Sequence, residues 1–481
     1  MTTLVWLQRE LRIDELPALQ SALENDGSVI VAYFHDDRFQ VGQANSAWLA
    51  QSLLTLKQDY ERRGGELWLV AGDFSSSLDE LIERFAIKQI NYSYQVGEPF
   101  VAMQQIALQV CQKHQIALQP FYSEFLFQPE QMLNLQNKPY LVFTPFYKSL
   151  SKKRFQITPL SATQKDLSAT ANIAVPKNHA VLPESLQRLL DQPWAQKVMA
   201  HWSVGEKQAW QHAEQFIANH LESYLEERDF PSIAATSCLS APLHFGELTL
   251  KSLYFYMLVR IENGQLNEEF AMGWFRQLVW KEFARHLLYW FPQLQTEPFQ
   301  TKYAQMQWDQ RADIMMRWQQ GLTGIPIIDA GMRELWQTGV MHNRVRMLVA
   351  SLLTKNLNQH WLAGKQWFDD TLVDADPANN IMGWQWVAGC GVDAAPYYRL
   401  FNPVTQSLKF DAKGRYLRKW LPELAALSDK AIHEPWNHAM ECQMKGITLG
   451  EQYPHPMVDL QQSRKQHLER VELLKQINAT S

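Results

Sequence analysis

Apolar and polar positions follow two regimes along this 481-residue chain. In the first regime, short β-branched and aromatic runs take turns with amphipathic stretches. Residues 4–7, 28–34 (SVIVAYF), 66–70 and 89–94 read as strands. Residues 14–23, 47–63, 78–85 and 100–114 read as helices, the second of them ended by the Gly64-Gly65 pair. Strands and helices alternating at this spacing predict a parallel sheet covered by helices. From about 123 to 200 the pattern dissolves into Pro, Ser, Asn and Gln with short helical pieces, which reads as a long connecting segment packed on the surface. From about 205 onward nearly everything has a helical period, and the aromatic residues concentrate there. The predicted organisation is an α/β domain over 1–122, a linker over 123–200 and an all-α domain over 201–481.

Within the helical part, five segments carry candidate chemistry. The stretch 273–290 is apolar around most of its circumference, so it is expected to be buried; Gln277 and Trp280 share one of its faces, and a buried glutamine needs hydrogen-bond partners. The helix beginning near Met341 has a core stripe of Val345, Leu348, Val349, Leu352 and Leu353. Its other face carries Asn343, Arg344, Met347, Ser351 and Thr354, which suits a ligand or another buried layer better than water. Thr236-Ser237-Cys238-Leu239-Ser240 places three hydroxyls ahead of helical sequence, as a helix cap or as donors to a phosphate. The turn-rich segment from Asp374 and Asp376 to Asn379 and Asn380 has two carboxylates without a histidine set, so an ion pair with Arg344 or Arg346 is expected rather than a metal. Asp393 to Pro403, with Lys409 beyond it, mixes aromatics and cations, as a base-stacking, phosphate-holding loop or as a solvated one.

Composition and motifs change this picture in several places. A net charge of −5 and a pI near 6.3 argue against a generally basic nucleic-acid coat and leave room for a local basic groove. Four scattered cysteines (Cys111, Cys238, Cys390, Cys442) without a CxxC suit a reducing compartment and give no zinc or iron–sulfur site. With no leader pattern and no apolar run of membrane length, the chain reads as cytoplasmic. Eighteen tryptophans suggest either surfaces for flat ligands and electron carriers or an aromatic-rich core. Glycine-rich phosphate loops, a GxSxG elbow and HExxH are missing, so common kinase and hydrolase chemistry is unsupported.

Taken in order from LVWLQRELRIDELPAL to about His455, the chain resembles the DNA photolyase/cryptochrome family, and most of all its cyclobutane pyrimidine dimer photolyases. The most specific stretches are WQQGLTGIPIIDAGMRELWQTGVMHNRVRM and DADPANNIMGWQWVAGCGVDAAPYYRLFNP. The resemblance implies a Rossmann-like α/β antenna-binding domain and an all-α domain holding one U-shaped FAD, active as the reduced anion. Tyr224, Thr236, Ser237, Leu239 and Ser240 would hold the phosphates and ribitol. Arg346 would pair with Asp374 beside the isoalloxazine, Asp376 would face its polar edge, and Asn380 would sit opposite N5. Gln277, Trp280, Asn343, Met347 and Trp386 would line the lesion pocket, with Arg228, Arg344, Arg399 and Lys409 on DNA phosphates. Trp384, Trp361 and Trp308 match an electron relay. Asn45, Trp48 and Glu98 match antenna positions, with folate (MTHF) preferred over a deazaflavin.

The implied activity is light-dependent repair of a flipped-out dimer in double- or single-stranded damaged DNA by a monomer. A cryptochrome-type photoreceptor and a (6-4) photolyase are the alternatives. Three departures from the family pattern stand out: Cys238 in place of a basic residue, Val340 in place of an aromatic, and Gln277 where cyclobutane-dimer enzymes carry glutamate.

Overall fold

The computed structural model describes residues 2–480 apart from 26, 40, 164, 165, 395 and 397, with side chains as far as 476. Its sheet has five parallel strands: β1 (Thr2–Leu7), β2 (Ser28–His35), β3 (Trp68–Ala71), β4 (Ile87–Ser93) and β5 (Ala117–Phe121), in the order β3-β2-β1-β4-β5. In the central strand β1, Leu4 lies opposite Ile30 of β2 and Ile90 of β4. Leu4, Val5, Trp6 and Leu7 are all buried, so both faces of the strand are covered. That is the condition a parallel sheet needs, and it is why these strands read as continuous apolar runs.

The covering helices are Pro17–Leu23, Gln43–Arg62, Phe74–Arg84 and Phe100–His114. Pro17 opens the first, where its missing N–H goes unneeded. Asp73 caps the third, accepting from the Ser76 amide at 2.8 Å. The expected α/β domain with a helix-covered parallel sheet is present. β5 is the element the pattern hid: Gln119 and Pro120 interrupt its apolar run, and its residues stay half-open because it is an edge strand.

Packing divides the chain into two compact units. The first is Met1–Glu222 with Ser237–Pro292 and Val373–Ala378; the second is Ser223–Thr236, Gln293–Leu372 and Asn379–Ser481. The boundaries expected at 122 and 200 both fall inside the first unit. Within it, the connecting segment forms the helices Phe143–Lys153, Glu184–Leu190 and Pro193–Met199, the last two packed on Gln43–Arg62. The same unit contains the long helix Glu268–Trp290, capped by Asn267, whose side chain accepts from the Glu269 amide at 2.8 Å.

The second unit is helical. Asn343–Ser351 continues into a π-helical turn, Leu352–Asn356, and Trp361–Thr371 and Pro403–Phe410 follow. Among the described residues no helix is long and apolar enough to cross a membrane.

Candidate flavin and DNA site

In the first unit, Asp376 is buried and accepts from Lys281 Nζ at 2.5 Å and His244 Nδ1 at 3.4 Å, with Arg285 Nη2 at 3.9 Å. One guanidinium sets the proton positions around it. Arg9 Nη2 can only donate, and it reaches Asn45 Oδ1 at 2.9 Å. The Asn45 amide must therefore point its Nδ2 at His244 Nε2, 2.9 Å away. His244 thus carries its proton on Nδ1, facing Asp376.

Burial decides the charges. It lowers His244 to about 3, helped by Arg9, so the ring is neutral. It lowers Lys281 to about 8, against the pull of Asp376. Burial alone would raise Asp376, but Lys281, His244 and Arg285 outweigh it and hold the carboxyl well below its ordinary range. Lys281 and Arg285 thus flank the Asp376 carboxylate, while the buried Glu10, Glu124 and Glu282 lie close to Arg9, Lys281 and Arg285 respectively.

The sequence reading missed Lys281 and His244. The usable signal lay in WKEFARH: Lys281, Glu282, Arg285 and His286 on a helix otherwise apolar all round must each find a buried partner.

Further toward the N-terminus of that helix, Trp280 is half-buried and stacked face to face on Phe143, with ring centroids 3.6 Å apart and planes 9° apart. Gln277 lies one turn before it, half-buried, and its amide makes no hydrogen bond among the described residues.

The hydroxyl segment does not cap its helix: the cap position of Ser240–His244 is Leu239, without a side-chain bond. Thr236 and Ser240 are exposed, Ser237 is half-buried, and Cys238 holds a left-handed φ of 52°. The cap reading is thereby corrected. Asp374 is buried.

Two of the three antenna positions are also corrected. Asn45 is tied up as described, and Trp48 is buried, donating Nε1 to Glu247 at 3.0 Å and stacking on Phe245. Both are core residues, with their polar atoms committed. Glu98 is exposed, beside Pro99 and Phe100, which line a small cavity of about 30 Å³ with the carboxyl ends of β1 and β2.

In the second unit, Asn380 donates Nδ2 to Asp369 Oδ1 at 2.7 Å and to the Lys365 carbonyl at 3.3 Å. Lys365 in turn pairs with Asp369 at 2.7 Å. Neither acceptor can donate, so the Asn380 carbonyl is left outward as an acceptor.

Trp384 is buried against Gly364, where any Cβ would collide with the indole, and edge-on to Phe368. Gly364 belongs to the helix that Trp361 opens. Trp361 and Trp308 flank His360 at 5.8 and 5.2 Å and line one cavity of about 220 Å³. Trp384, Trp361 and Trp308 thus lie on neighbouring segments of the second unit.

An open groove of about 630 Å³ brings together Arg344, Arg399 and Lys409 with Phe401 and Phe410. Arg344 pairs with Asp229 at 2.6 Å and lies over Phe410; Arg399 and Lys409 are exposed. Arg228 sits over Tyr224, itself buried, and faces Asp229 at 3.9 Å. Trp386 stacks near Phe401 at 6.5 Å. Asn343 is exposed, Met347 half-buried, and Arg346 donates Nε to the Met341 carbonyl at 2.7 Å.

Comparison with known proteins bears on the whole chain. Residues 3–165 match the family description DNA photolyase, and residues 274–473 match the FAD binding domain of DNA photolyase. A deoxyribodipyrimidine photo-lyase of Agrobacterium fabrum is 36% identical over 97% of this chain and 96% of its own length. Its Escherichia coli counterpart is 32% identical over 97% and 98%. Cryptochrome-2 of Arabidopsis thaliana is 30% identical over 96% of this chain and 77% of its own length. Among solved structures, a bacterial class III photolyase from Agrobacterium tumefaciens superposes with a TM-score of 0.91 at 35% identity, covering 98% of both chains. A Synechocystis cryptochrome gives 0.89 at 27%, covering 97% of this chain and 98% of its own. With the sheet order, the helical FAD-binding domain and relatives at this identity in agreement, the chain belongs to the DNA photolyase family.

Proposed function

We propose that this protein is a deoxyribodipyrimidine photo-lyase that repairs cyclobutane pyrimidine dimers in DNA under blue light. The observation that carries the reading is the groove of Arg344, Arg399 and Lys409 with its aromatic floor, in a chain 36% identical to such an enzyme over nearly its full length. FAD suits the residues present. Lys281 and Arg285 beside Asp376 offer buried donors, the Asn380 carbonyl offers an acceptor, and the hydroxyls of Thr236, Ser237 and Ser240 do not cap the helix Ser240–His244. When bound, the flavin supplies the light-driven electron.

The chain's own residues do the rest. Asp376, held ionised, keeps Lys281 and His244 in place. Asp369 and Lys365 fix the Asn380 amide so that its carbonyl cannot rotate away. Groove cations hold phosphates flanking a dimer turned out of the stack, a step that a poorly paired lesion makes easier. Trp280 and Trp386 offer indole faces to the lesion, and Gln277 offers it an N–H. A glutamine donates a hydrogen bond but no proton, so Gln277→Glu is expected to raise the quantum yield of repair. Equal yields would remove that role.

The (6-4) reading asks for a free pocket histidine. His342 instead caps Asn343–Ser351 through Nδ1, which accepts from the Arg344 amide at 3.2 Å, and burial lowers it to about 4. The signalling reading rests on the likeness to the cryptochromes. Illumination of reduced protein with dimer-containing and (6-4)-containing oligonucleotides separates the three: the expected result is loss of the dimer alone. For the antenna, a folate near Glu98 is carried forward, and the extracted chromophore is expected to show pterin fluorescence. The protein is further taken to act as a cytoplasmic monomer on double- or single-stranded damaged DNA; light scattering with and without DNA tests the oligomeric part.

A further inference from the structure

The stack beneath Trp280 extends beyond one pair of rings. Phe143 is the first residue of the helix Phe143–Lys153 in the connecting segment, more than 130 positions from Trp280 in sequence. Phe143 is almost fully buried, and its 3.6 Å parallel contact covers one face of the indole. Phe283 closes the edge of both rings at 5.8 and 6.0 Å, at steep angles. On the other side, the Arg276 guanidinium lies 5.7 Å from the Phe143 ring and 5.5 Å from the Tyr147 ring. Arg276 is exposed, one turn before Trp280 on the same helix, and no carboxylate pairs with it among the described residues.

Each piece has a physical consequence. An indole held on one face and one edge cannot turn over, so its remaining surface is presented in one orientation. A flat, rigid partner lowers the ordering entropy of whatever stacks on that surface. A solvent-facing guanidinium with no acid near it is free for a phosphate.

We propose that Phe143 and Arg276 complete a lesion platform with Trp280: Phe143 positions the indole and so sets the preference for damaged over intact DNA, and Arg276 holds a phosphate beside it. The inference rests on the photolyase reading and deepens it, because it brings the connecting segment into substrate recognition.

The test is dark binding of the FAD-loaded protein to a duplex with a single cyclobutane thymine dimer and to the same duplex undamaged, over a range of salt. Phe143→Leu keeps an apolar side chain and loses the flat ring. It is expected to weaken dimer binding roughly three- to tenfold, the worth of an aromatic pair. Binding to undamaged DNA and the salt slope should stay unchanged, and Phe143→Tyr should restore the preference. Arg276→Gln should lower the slope of log K against log salt by about 0.9 on both duplexes, with the dimer preference kept. Should Phe143→Leu fold poorly, Phe143→Met serves in the same assay. Wild-type preference in the leucine or methionine variant, or equal loss on both duplexes, overturns the platform. A wild-type protein that does not distinguish the two duplexes overturns the photolyase reading itself.

Discussion

Lys281 and Arg285 in the first unit and Arg399 and Lys409 in the second carry the same charge in opposite surroundings. The first pair is buried, held to one carboxylate, and Lys281 is pushed down to about 8. The second pair lines an open groove, where water and salt screen it. Buried cations here act by fixing a geometry and an electrostatic potential, which suits a resident anion. Groove cations act by exchanging small counterions for a polyanion, which suits a substrate that comes and goes. If that contrast is right, removing a charge should show as lost stability in one place and as a changed salt slope in the other.

The sharpest break is at Asp376. Asp376→Ala leaves Lys281 and Arg285 without their anion in a buried site, and breaking such a pair typically costs about 3–5 kcal/mol. The expected outcome is a large fall in the denaturant midpoint together with loss of FAD retention. Asp376→Ala combined with Lys281→Met should recover part of the loss, because the uncompensated charge goes with its partner. A midpoint equal to wild type in the single variant would mean that the cluster contributes nothing.

The groove should behave otherwise. Arg399→Ala with Lys409→Ala is expected to leave the unfolding midpoint where it is, since both side chains are exposed. The slope of log K against log salt for DNA should fall by about 0.9 for each cation that meets a phosphate. Measured by titration at several salt concentrations, an unchanged slope would show that the groove does not hold the backbone.

The two regions also differ in how far the sequence revealed them. The strand–helix alternation from Thr2 to His114 is visible because its periods are local, and most of its runs are bounded by Gly, Asp or Pro. β5 was hidden because an edge strand keeps few buried residues to make a pattern. The cations of the groove could be named from the family resemblance, yet their company with Phe410 and Asp229 depends on the fold. The buried cluster was harder. Arg9, Asn45, His244, Lys281 and Asp376 come from five separate stretches, and no period links them. Asn45 was taken for an antenna residue because its role depends on a guanidinium 36 positions away that holds its amide. Asp369, which orients Asn380, likewise gave no sign in the sequence, since its effect passes through a hydrogen bond across two helices.

Burial, rather than the sign of the charge, should account for the contrast, and Glu247 offers the smallest and cleanest check. It lies in the first unit like the cluster but carries the opposite charge. Its Oε1 accepts from Trp48 Nε1 at 3.0 Å and Ser52 Oγ at 2.7 Å, and its buried Oε2 has no partner among the described residues. Burial raises its carboxyl to about 7, against those two hydrogen bonds and the pull of the Gly205 backbone N–H. Between about 4.5 and 7 the folded protein therefore binds more protons at this site than the unfolded chain does. The contribution to stability is full below about 4.5 and is lost as pH rises through 7. Glu247→Gln keeps the Oε1 acceptor and cannot ionise. Compared with wild type, it is expected to be more stable by about 1–2 kcal/mol at pH 8 and to show no gain at pH 4. Denaturant midpoints at the two pH values read this directly. A gain of the same size at both would trace the effect to packing, whereas a gain confined to pH 8 means that an unpaired buried charge of either sign is what this interior resists.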